Sequence, residues 1–300
     1  MRPSSILACA ALALASAAGF AQDEPVVEPL SGTLLKAKGS GAVALAYRES
    51  SVPFSYLSAR GEPIGYSIEL CRRVVDAMSQ AVGRELGIRW VPVTSESRID
   101  AIVSGRADLE CGSTTNNLER ARKVAFSPTI FVSGTKLLVK DGSPIRSFRD
   151  LKGRAVAVTA GTTNEQAMRD LGAKFGIPFT LVSSPDHAQS FALLESGRAD
   201  TFATDDVLLY GLVAANRKQR DYHVVGEFLS YDPYGIMYRK SDPQMQRLVN
   251  TTFHDLAEDG EIERQYKRWF MRPLPSGATI GLPMSPQLET LVRAMAAKPE

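Results

Sequence analysis

The sequence predicts an α/β fold built from two α/β halves. Short apolar runs alternate with stretches of helical period, and the pattern restarts at Ala155 after a break. The string S-G-R-A-D occurs twice, at Ser104–Asp108 and Ser196–Asp200, each time between a predicted helix and a predicted strand. Such repeats indicate parallel sheets covered by helices. With 300 residues and 44% apolar content, the chain can bury a sizeable core.

The first half begins after a polar, Pro-rich leader at 22–31. Apolar runs bounded by glycines and turn residues predict strands, and apolar positions three to four residues apart predict helices. The predicted strands are Val43–Tyr47, Arg89–Val93 and Ala107–Glu110, and the predicted helices are Ile64–Val82, Ile99–Ser104 and one opening at Leu118–Val124.

The second half repeats this alternation, and a helical region follows it. The predicted strands are Ala155–Val158, Phe179–Val182 and Thr201–Ala203, and the helices lie near Glu165–Phe175, His187–Ser196 and Val207–Ala215. Three further helices are predicted at Pro243–Gly260, Ile262–Phe270 and Pro286–Ala297. We expect the last of these to pack on the first half.

Composition excludes several classes of function. The net charge is +2, from 35 basic and 33 acidic residues, and no basic run stands out, so nucleic acid is not the expected partner. Three cysteines without a C-x-x-C pair indicate no zinc site. The sequence has no H-E-x-x-H motif, no Gly-rich phosphate loop and no recognisable catalytic triad. We therefore expect no metal, no cofactor and no enzyme.

The N-terminus has the form of a secretory signal peptide over residues 1–21. Arg2 supplies the positive charge, Ile6–Ala18 is apolar, and cleavage is expected near Ala21 or Ala18. Cys9 would be the acylated residue of a lipoprotein, but only eight residues precede it. We expect an exported, periplasmic chain.

Export leaves Cys71 and Cys111 as the two remaining cysteines of the mature chain. An oxidising compartment permits one disulfide between them, and two buried free thiols are equally compatible with the sequence.

The stretch Cys111–Arg120, C-G-S-T-T-N-N-L-E-R, is the most informative motif. Hydroxyls and free N–H groups at a helix start, followed by a guanidinium, are typical of a carboxylate receptor. An ordinary helix cap followed by a solvated Arg is the alternative. Polar loops follow both copies of S-G-R-A-D, at 112–117 and 204–206, where ligands bind in open α/β sheets. Two such ends facing each other would form a cleft for a small anionic zwitterion.

Several longer strings resemble the periplasmic solute-binding proteins of amino-acid ABC transporters (solute-binding protein family 3), most of all the glutamate/aspartate-binding proteins. They are Arg48–Tyr56, Thr94–Ile99, Glu110–Asn117, Gly161–Thr163, Leu194–Arg198 and Asp205–Asp206. The resemblance covers about residues 33–275. It implies the two-lobed periplasmic binding protein fold (type II-like), with two α/β lobes joined by two crossover strands. Lobe 1 would be 31–134 plus 231–300, and lobe 2 would be 135–230.

The resemblance also implies roles at the ligand's amino-acid end. Arg120 would clamp the α-carboxylate, helped by the hydroxyl and backbone groups of Ser113 and Thr115, and by Thr163 from the second lobe. Asp205 would pair with the α-ammonium group. Alternatively, Asp205 caps the following helix, unless Asp206 takes that role.

The ligand's side chain would meet a second set of residues. Arg48, Ser95, Arg98 and His187 match the positions that hold a second carboxylate in the glutamate/aspartate subgroup. Two guanidiniums in one pocket repel each other unless an anion lies between them, so a dicarboxylate is favoured. Alternatively, Arg48 is a surface ion-pair partner, Arg98 a solvated helix-start residue, and His187 a structural histidine.

The resulting hypothesis is capture of L-glutamate or L-aspartate by a monomer that delivers it to an inner-membrane ABC permease. A binder of another polar amino acid, such as glutamine, is the first alternative. A periplasmic dehydratase on the same fold is the second, and it would need a general acid, for which Glu49 and Glu110 are the only acids near the motifs.

Overall fold

The computed structural model describes residues 28–297. The predicted signal peptide and Cys9 lie outside the described residues. Between residues 28 and 297, no helix combines the length and apolar content that crossing a membrane requires.

The helices and strands alternate along most of the chain. The helices are α1 Gly32–Ser40, α2 Tyr66–Val82, α3 Arg98–Val103, α4 Leu118–Ala121, α5 Thr163–Phe175, α6 His187–Glu195, α7 Asp206–Ala215, α8 Pro243–Glu258, α9 Glu261–Tyr266 and α10 Pro286–Ala296. The strands are β1 Ala42–Tyr47, β2 Ser50–Ser51, β3 Ser55–Leu57, β4 Pro63–Ile64, β5 Gly87–Pro92, β6 Leu109–Glu110, β7 Val124–Phe126, β8 Phe131–Ser133, β9 Thr135–Lys140, β10 Ala155–Thr159, β11 Thr180–Ser184, β12 Thr201–Asp205, β13 Tyr222–Val225, β14 Asp232–Tyr234 and β15 Met237–Arg239.

Two five-stranded sheets organise these elements. The first has the order β5-β1-β6-β15-β7 and the second β11-β10-β12-β9-β13. In each sheet, three parallel strands lie at one side, and a fourth strand joins them in antiparallel orientation: β15 in the first sheet and β9 in the second. The predicted two-sheet α/β architecture is therefore confirmed. Loops that contain predicted site residues follow the carboxyl ends of β1, β6, β10 and β12.

The chain passes between the sheets along a pair of antiparallel strands, β8 and β14. Ser133 pairs with Asp232 and Phe131 with Tyr234. Gly134 follows β8, and a Cβ at that position would lie 2.2 Å from the Ser230 carbonyl oxygen. Only glycine at position 134 lets the chain after β8 approach the chain before β14 this closely. The hydroxyl of Ser230 also accepts a hydrogen bond from the backbone N–H of Thr135, at 2.8 Å.

An aromatic cluster anchors the first sheet to the C-terminal helices. Phe54 meets Phe131 at 5.0 Å between ring centroids, Tyr234 at 5.1 Å and Phe270 at 5.5 Å, all edge to face. Such aromatic pairs add to the free energy of burial. Phe54 is therefore a core residue. Because Tyr234 belongs to β14, the crossover pair is fixed to this core.

The structure differs from the predicted elements in several places. The six predicted strands are β1, β5, β6, β10, β11 and β12, and the other nine strands were not predicted. α1 was not predicted, because Gly32–Ser40 has little amphipathic period. α4 has one turn, and Val124 opens β7 where the sequence suggested a longer helix. α9 ends at Tyr266, after which Lys267–Met271 forms a π-helical turn. As expected, α10 packs on the first half, against α8 and β8.

A disulfide joins Cys71 to Cys111, which decides between the two alternatives that the sequence left open. Cys71 lies in α2, and Cys111 follows β6 directly. Both residues are fully buried. The covalent link therefore fixes the start of the Gly112–Arg120 segment to the helix that covers the first sheet.

Candidate functional site

The nine predicted site residues gather where loops of the two sheets meet. Arg48, Ser95, Arg98, Ser113, Thr115 and Arg120 follow strands of the first sheet or start its helices, and Thr163, His187 and Asp205 do the same in the second. All of them are buried except Thr163, which is half-buried. The two halves touch around this set: the Arg120 Nη2 donates to the Gly161 carbonyl oxygen at 3.4 Å.

Two buried guanidiniums form one end of the site. Arg48 follows β1 and is 1% exposed, and Arg98 begins α3 and is 2% exposed. Among residues 28–297, Nη1 and Nη2 of Arg48 and Nε of Arg98 have no hydrogen-bond partner. Burial, with the nearby Arg98 cation, lowers the pKa of Arg48 to about 9. These burials contradict the alternatives of a surface ion pair for Arg48 and a solvated side chain for Arg98.

Ser95 and His187 are the other two residues predicted to meet the ligand's side chain, and both are buried. The Ser95 hydroxyl is buried, and no described residue hydrogen-bonds to it. His187 Nδ1 is 2.8 Å from the Thr159 hydroxyl, which fixes the ring. Burial, and then the charges of Arg48 and Arg98, lower the pKa of His187 well below its usual value. Because those cations belong to the first half and His187 to the second, the imidazole faces them across the cleft as a neutral ring.

Glu110 is a buried carboxylate beside the two arginines. The sequence suggested it only as a possible general acid. Its Oε2 accepts from the Thr114 hydroxyl at 2.8 Å, and its charge opposes the lowering of the pKa of both Arg48 and Arg98. A Cβ on Gly112 would lie 2.2 Å from Oε1 of Glu110, so the E-C-G motif needs its glycine here. The negative charge of Glu110 therefore offsets part of the positive charge of Arg48 and Arg98.

Arg120 lies at the other end of the site. Its Nη1 donates to the Thr115 carbonyl oxygen at 3.0 Å, and its backbone N–H donates to Asn117 Oδ1 at 2.9 Å. Burial, and then the Arg98 charge, lower the pKa of Arg120 to about 9. The motif is thus both a cap, through Asn117, and the position of a buried guanidinium. The helix that starts here, α4, has only four residues.

Two threonine hydroxyls share one carboxylate that sequence reasoning missed. Thr115 Oγ1 and Thr163 Oγ1 donate to Asp232 Oδ1 at 3.0 Å and 2.8 Å, and the hydroxyls are 3.2 Å apart. Ser230 donates to the other oxygen, Oδ2. Asp232 lies 69 residues beyond Thr163, outside every recognised motif. Only the pairing of β14 with β8 brings it to the site.

Asp205 ends β12 and is held by two donors. Its Oδ1 accepts from Asn164 at 2.8 Å, and its Oδ2 accepts from the Tyr234 hydroxyl. Burial, and then the neighbouring Asp232 charge, raise the pKa of Asp205 well above its usual value. Asp205 does not cap α7, which contradicts that alternative. Asp206 Oδ1 instead accepts the Val207 backbone N–H at 2.8 Å.

The site therefore has the guanidiniums of Arg48 and Arg98 at one end, and the guanidinium of Arg120 with the neighbouring carboxyl groups of Asp205 and Asp232 at the other end. Residues 43–272 match the bacterial extracellular solute-binding proteins, family 3. The chain belongs to this family. Membership confirms the prediction of a binding protein rather than an enzyme.

Two relatives match most of the chain. It is 43% identical over 270 residues to the L-glutamate/L-aspartate-binding protein of Pseudomonas aeruginosa, covering 89% of each chain. It is 41% identical over 269 residues to the glutamate/aspartate import solute-binding protein of Escherichia coli K12, again covering 89% of each. The resemblance to this subgroup is therefore confirmed.

Solved structures agree on the fold. The structure superimposes on a mutant of the arginine-binding protein of Thermotoga maritima with a TM-score of 0.72 at 23% identity, covering 80% of this chain and 100% of that one. An ancestral arginine-binding protein bound to arginine gives a TM-score of 0.69 at 27% identity, covering 77% and 98%. The two-lobed binding protein fold is shown.

Proposed function

We propose that this family 3 solute-binding protein captures acidic L-amino acids, glutamate and aspartate, in the cleft between its two halves. The observation that supports the proposal is the pair of buried guanidiniums, Arg48 and Arg98: Nη1 and Nη2 of Arg48 and Nε of Arg98 have no hydrogen-bond partner among the described residues. The names of the P. aeruginosa and E. coli relatives agree with it.

The charge of the pocket selects the ligand's side chain. A buried cation without a partner is costly, and a carboxylate placed between two of them relieves both desolvation and mutual repulsion. Each charge-assisted hydrogen bond contributes roughly 1.5–3 kcal/mol. A neutral amide would leave the two charges compensated only in part, by Glu110, so an acidic side chain is preferred over glutamine. Ser95 supplies a further donor, and His187 lines the same end.

The remaining residues serve the amino-acid end of the ligand. Arg120 binds the α-carboxylate with Ser113, whose buried hydroxyl has no partner in the described part of the chain. Asp205 accepts from the α-ammonium group. Thr115 and Thr163 bring one hydroxyl from each half to the same place.

We infer that closure of two lobes buries the ligand. Lobe 1 comprises 31–134 plus 231–300 and lobe 2 comprises 135–230, with the hinge at the crossover passages. A monomer, exported to the periplasm by residues 1–21, then delivers its ligand to an inner-membrane ABC permease.

Glutamine is the second candidate ligand. An ABC transporter glutamine-binding protein of Bacillus subtilis is 30% identical over 210 residues, covering 70% of this chain. A glutamine site would use Ser95 and His187 for the amide and would leave the charge of Arg48 and Arg98 without a counterion from the ligand.

Titration calorimetry distinguishes the two candidates. The mature chain is unfolded, freed of carried-over ligand and refolded under oxidising conditions, so that the Cys71–Cys111 disulfide re-forms. It is then titrated with L-glutamate, L-aspartate, L-glutamine and L-arginine. Tight binding of the two acids alone supports the proposal, and tighter binding of glutamine contradicts it. Arg89→Ala is the control for a general charge effect, because Arg89 is exposed.

A further inference from the structure

We propose that Asp232 is a positioning residue for the ligand's α-ammonium group, acting through the hydroxyl protons of Thr115 and Thr163. This inference rests on the proposed function only in taking the ligand to be an α-amino acid. It assigns a task to a residue of the crossover strand β14 that lies outside the sequence motifs.

The hydrogen bonds around Asp232 decide what the hydroxyls of Thr115 and Thr163 can offer a ligand. An ionised carboxylate only accepts hydrogen bonds, and a hydroxyl has one proton to donate and two lone pairs. Both threonine hydroxyls lie within 3.0 Å of Asp232 Oδ1, so each of them directs its proton there. What remains on each hydroxyl is acceptor capacity. A ligand α-carboxylate accepts as well and gains nothing from these two groups, whereas an α-ammonium group donates three hydrogen bonds.

These hydrogen bonds change one role expected from the sequence. The hydroxyls of Thr115 and Thr163 were expected to donate to the α-carboxylate. With Asp232 in place they present lone pairs instead, 3.2 Å apart and one from each half. The α-carboxylate then depends on Arg120 and Ser113.

The electrostatic environment of Asp232 also favours a cationic group. Asp232 is 1% exposed and Asp205 is 3% exposed. Within residues 28–297, neither carboxylate has a Lys, Arg or His nitrogen within 4.0 Å. The charge of Asp232 acts on Asp205, so the two carboxyl groups are close neighbours. The Arg120 cation acts on both carboxylates but forms an ion pair with neither. Two neighbouring buried carboxylates therefore provide a site for a small cationic group, and the α-ammonium group has that chemistry.

The position of Asp232 along the chain supports the same role. Thr115 belongs to the first half, Thr163 to the second, and Asp232 to a strand that passes between them. The hydroxyl of Ser230, two residues before Asp232 in the same crossover segment, donates to Oδ2 of Asp232. One carboxylate therefore fixes the proton direction of a hydroxyl from each half, and does so when the two halves meet.

The test compares two ligands that differ only in the ammonium group. L-Glutamate and glutarate have the same chain length and both carboxylates, but glutarate lacks the amine. For Asp232→Asn, we expect the affinity for L-glutamate to fall by about tenfold or more, the size of one charge-assisted contact, and that for glutarate to stay within about twofold. The matched control is Asp242→Asn, which alters a buried carboxylate that accepts from the backbone N–H groups of Thr33 and Met245, and it should leave the affinity ratio unchanged.

A double-mutant cycle tests the route through the hydroxyls. Thr163→Val removes one hydroxyl with little change of shape, and it should also weaken L-glutamate more than glutarate. If Asp232 acts through Thr163, the double variant loses less than the sum of the two single losses. Thr163 is half-buried, so Thr163→Val keeps the test available if Asp232→Asn does not fold.

The outcomes separate this inference from the proposed function. Equal loss of both ligands in Asp232→Asn, or additive losses in the cycle, would overturn the positioning role and leave Asp232 as a hinge residue. If the wild-type chain binds L-glutamine and not L-glutamate, the proposed function fails, and the same ratio is measured with L-glutamine and its deaminated counterpart, glutaramate.

Discussion

The two ends of the cleft differ in whether their buried polar groups have hydrogen-bond partners within the protein. We call them the side-chain end (Arg48, Ser95, Arg98 and His187) and the amino-acid end (Ser113, Thr115, Arg120, Thr163, Asp205 and Asp232). At the amino-acid end the protein's own groups satisfy one another except for the Ser113 hydroxyl, which has no partner among the described residues: Arg120 donates to a carbonyl oxygen, and both aspartates accept hydrogen bonds from neighbours. At the side-chain end, nitrogens of both arginines and the Ser95 hydroxyl have no partner among the described residues.

The difference indicates where affinity and selectivity arise. A pre-satisfied end holds its groups in place before the ligand arrives, which reduces the cost of ordering them on binding. Buried groups without hydrogen-bond partners lower the stability of the free protein. Only a ligand of complementary charge removes this cost when it binds. The amino-acid end should therefore accept any α-amino acid, and the side-chain end should select the acidic ones.

The largest effect should come from Arg48→Met. Loss of two charge-assisted contacts predicts a fall in L-glutamate affinity between about 100-fold and about 10,000-fold. The ligand-free protein should become more stable, by about 1 kcal/mol or more, because a buried cation facing Arg98 is replaced by an apolar chain of similar length. Calorimetry and thermal unfolding measure the two changes. A lower melting temperature of the ligand-free variant would contradict the contrast between the ends.

Asp205→Asn should have the next largest effect. Truncating a buried charge contact typically costs about 2–5 kcal/mol, so the affinity should fall by roughly 30-fold or more. In the free protein the pKa of Asp205 is well above its usual value, so the carboxyl keeps its proton at pH values where an ordinary aspartate has lost it. The ligand's ammonium group favours the ionised form, so binding should release a proton, and affinity should fall as pH drops through the raised pKa.

Calorimetry in buffers of different ionisation enthalpy measures this proton release. The Asn variant should show less release than the wild type at the same pH. Equal release in the two proteins would assign the proton to another group and contradict the role of Asp205.

A matched pair of hydroxyl deletions sharpens the comparison. Ser95→Ala and Thr163→Val should each weaken L-glutamate by about tenfold, the size of one hydrogen bond to a charged group. Their effects on the ligand-free protein should differ. Ser95→Ala removes a hydroxyl without a described partner and should leave the melting temperature unchanged or raised, whereas Thr163→Val takes a donor from Asp232 and should lower it. The same change in melting temperature in both ligand-free variants would contradict the difference between the two ends.

The smallest expected effect is a pH dependence carried by His187. Arg48 and Arg98 help to lower its pKa in the free protein, and a bound carboxylate between them opposes that effect. Binding should therefore favour proton uptake by His187. The ratio of wild-type to His187→Gln affinities should rise by less than about tenfold as pH falls from about 7.5 to about 5.5. A ratio independent of pH would show that His187 does not respond to the ligand's charge.

Sequence reasoning predicted the parts of this molecule that depend on local pattern. Apolar period gave most of the helices and the three parallel strands of each five-stranded sheet, but none of the other nine strands. The motif strings placed Arg48, Arg98, Arg120 and Asp205 at strand ends or helix starts. α1 was missed because its residues have little amphipathic period, and α4 was overextended because Leu118–Val124 contains apolar residues that belong to β7.

The missing site residues depend on contacts between distant parts of the chain. Asp232 accepts a hydrogen bond from Thr115, which lies 117 residues away in the sequence. The pairing of the crossover strands β8 and β14 brings Asp232 to the site, and no local sequence pattern predicts that pairing. Glu110 was visible in its motif, but its burial against the arginines needs the position of Gly112. The partnerless state of the arginine nitrogens is likewise a property of the packed structure alone.

The most direct test of the contrast between the two ends is a crystal structure of the mature chain with L-glutamate. The contrast predicts the side-chain carboxylate within hydrogen-bonding distance of both Arg48 and Arg98, the α-carboxylate on Arg120, and the ammonium group between Asp205 and the two threonine hydroxyls. A ligand bound in the reverse direction, with its α-carboxylate on Arg48 and Arg98, would contradict it.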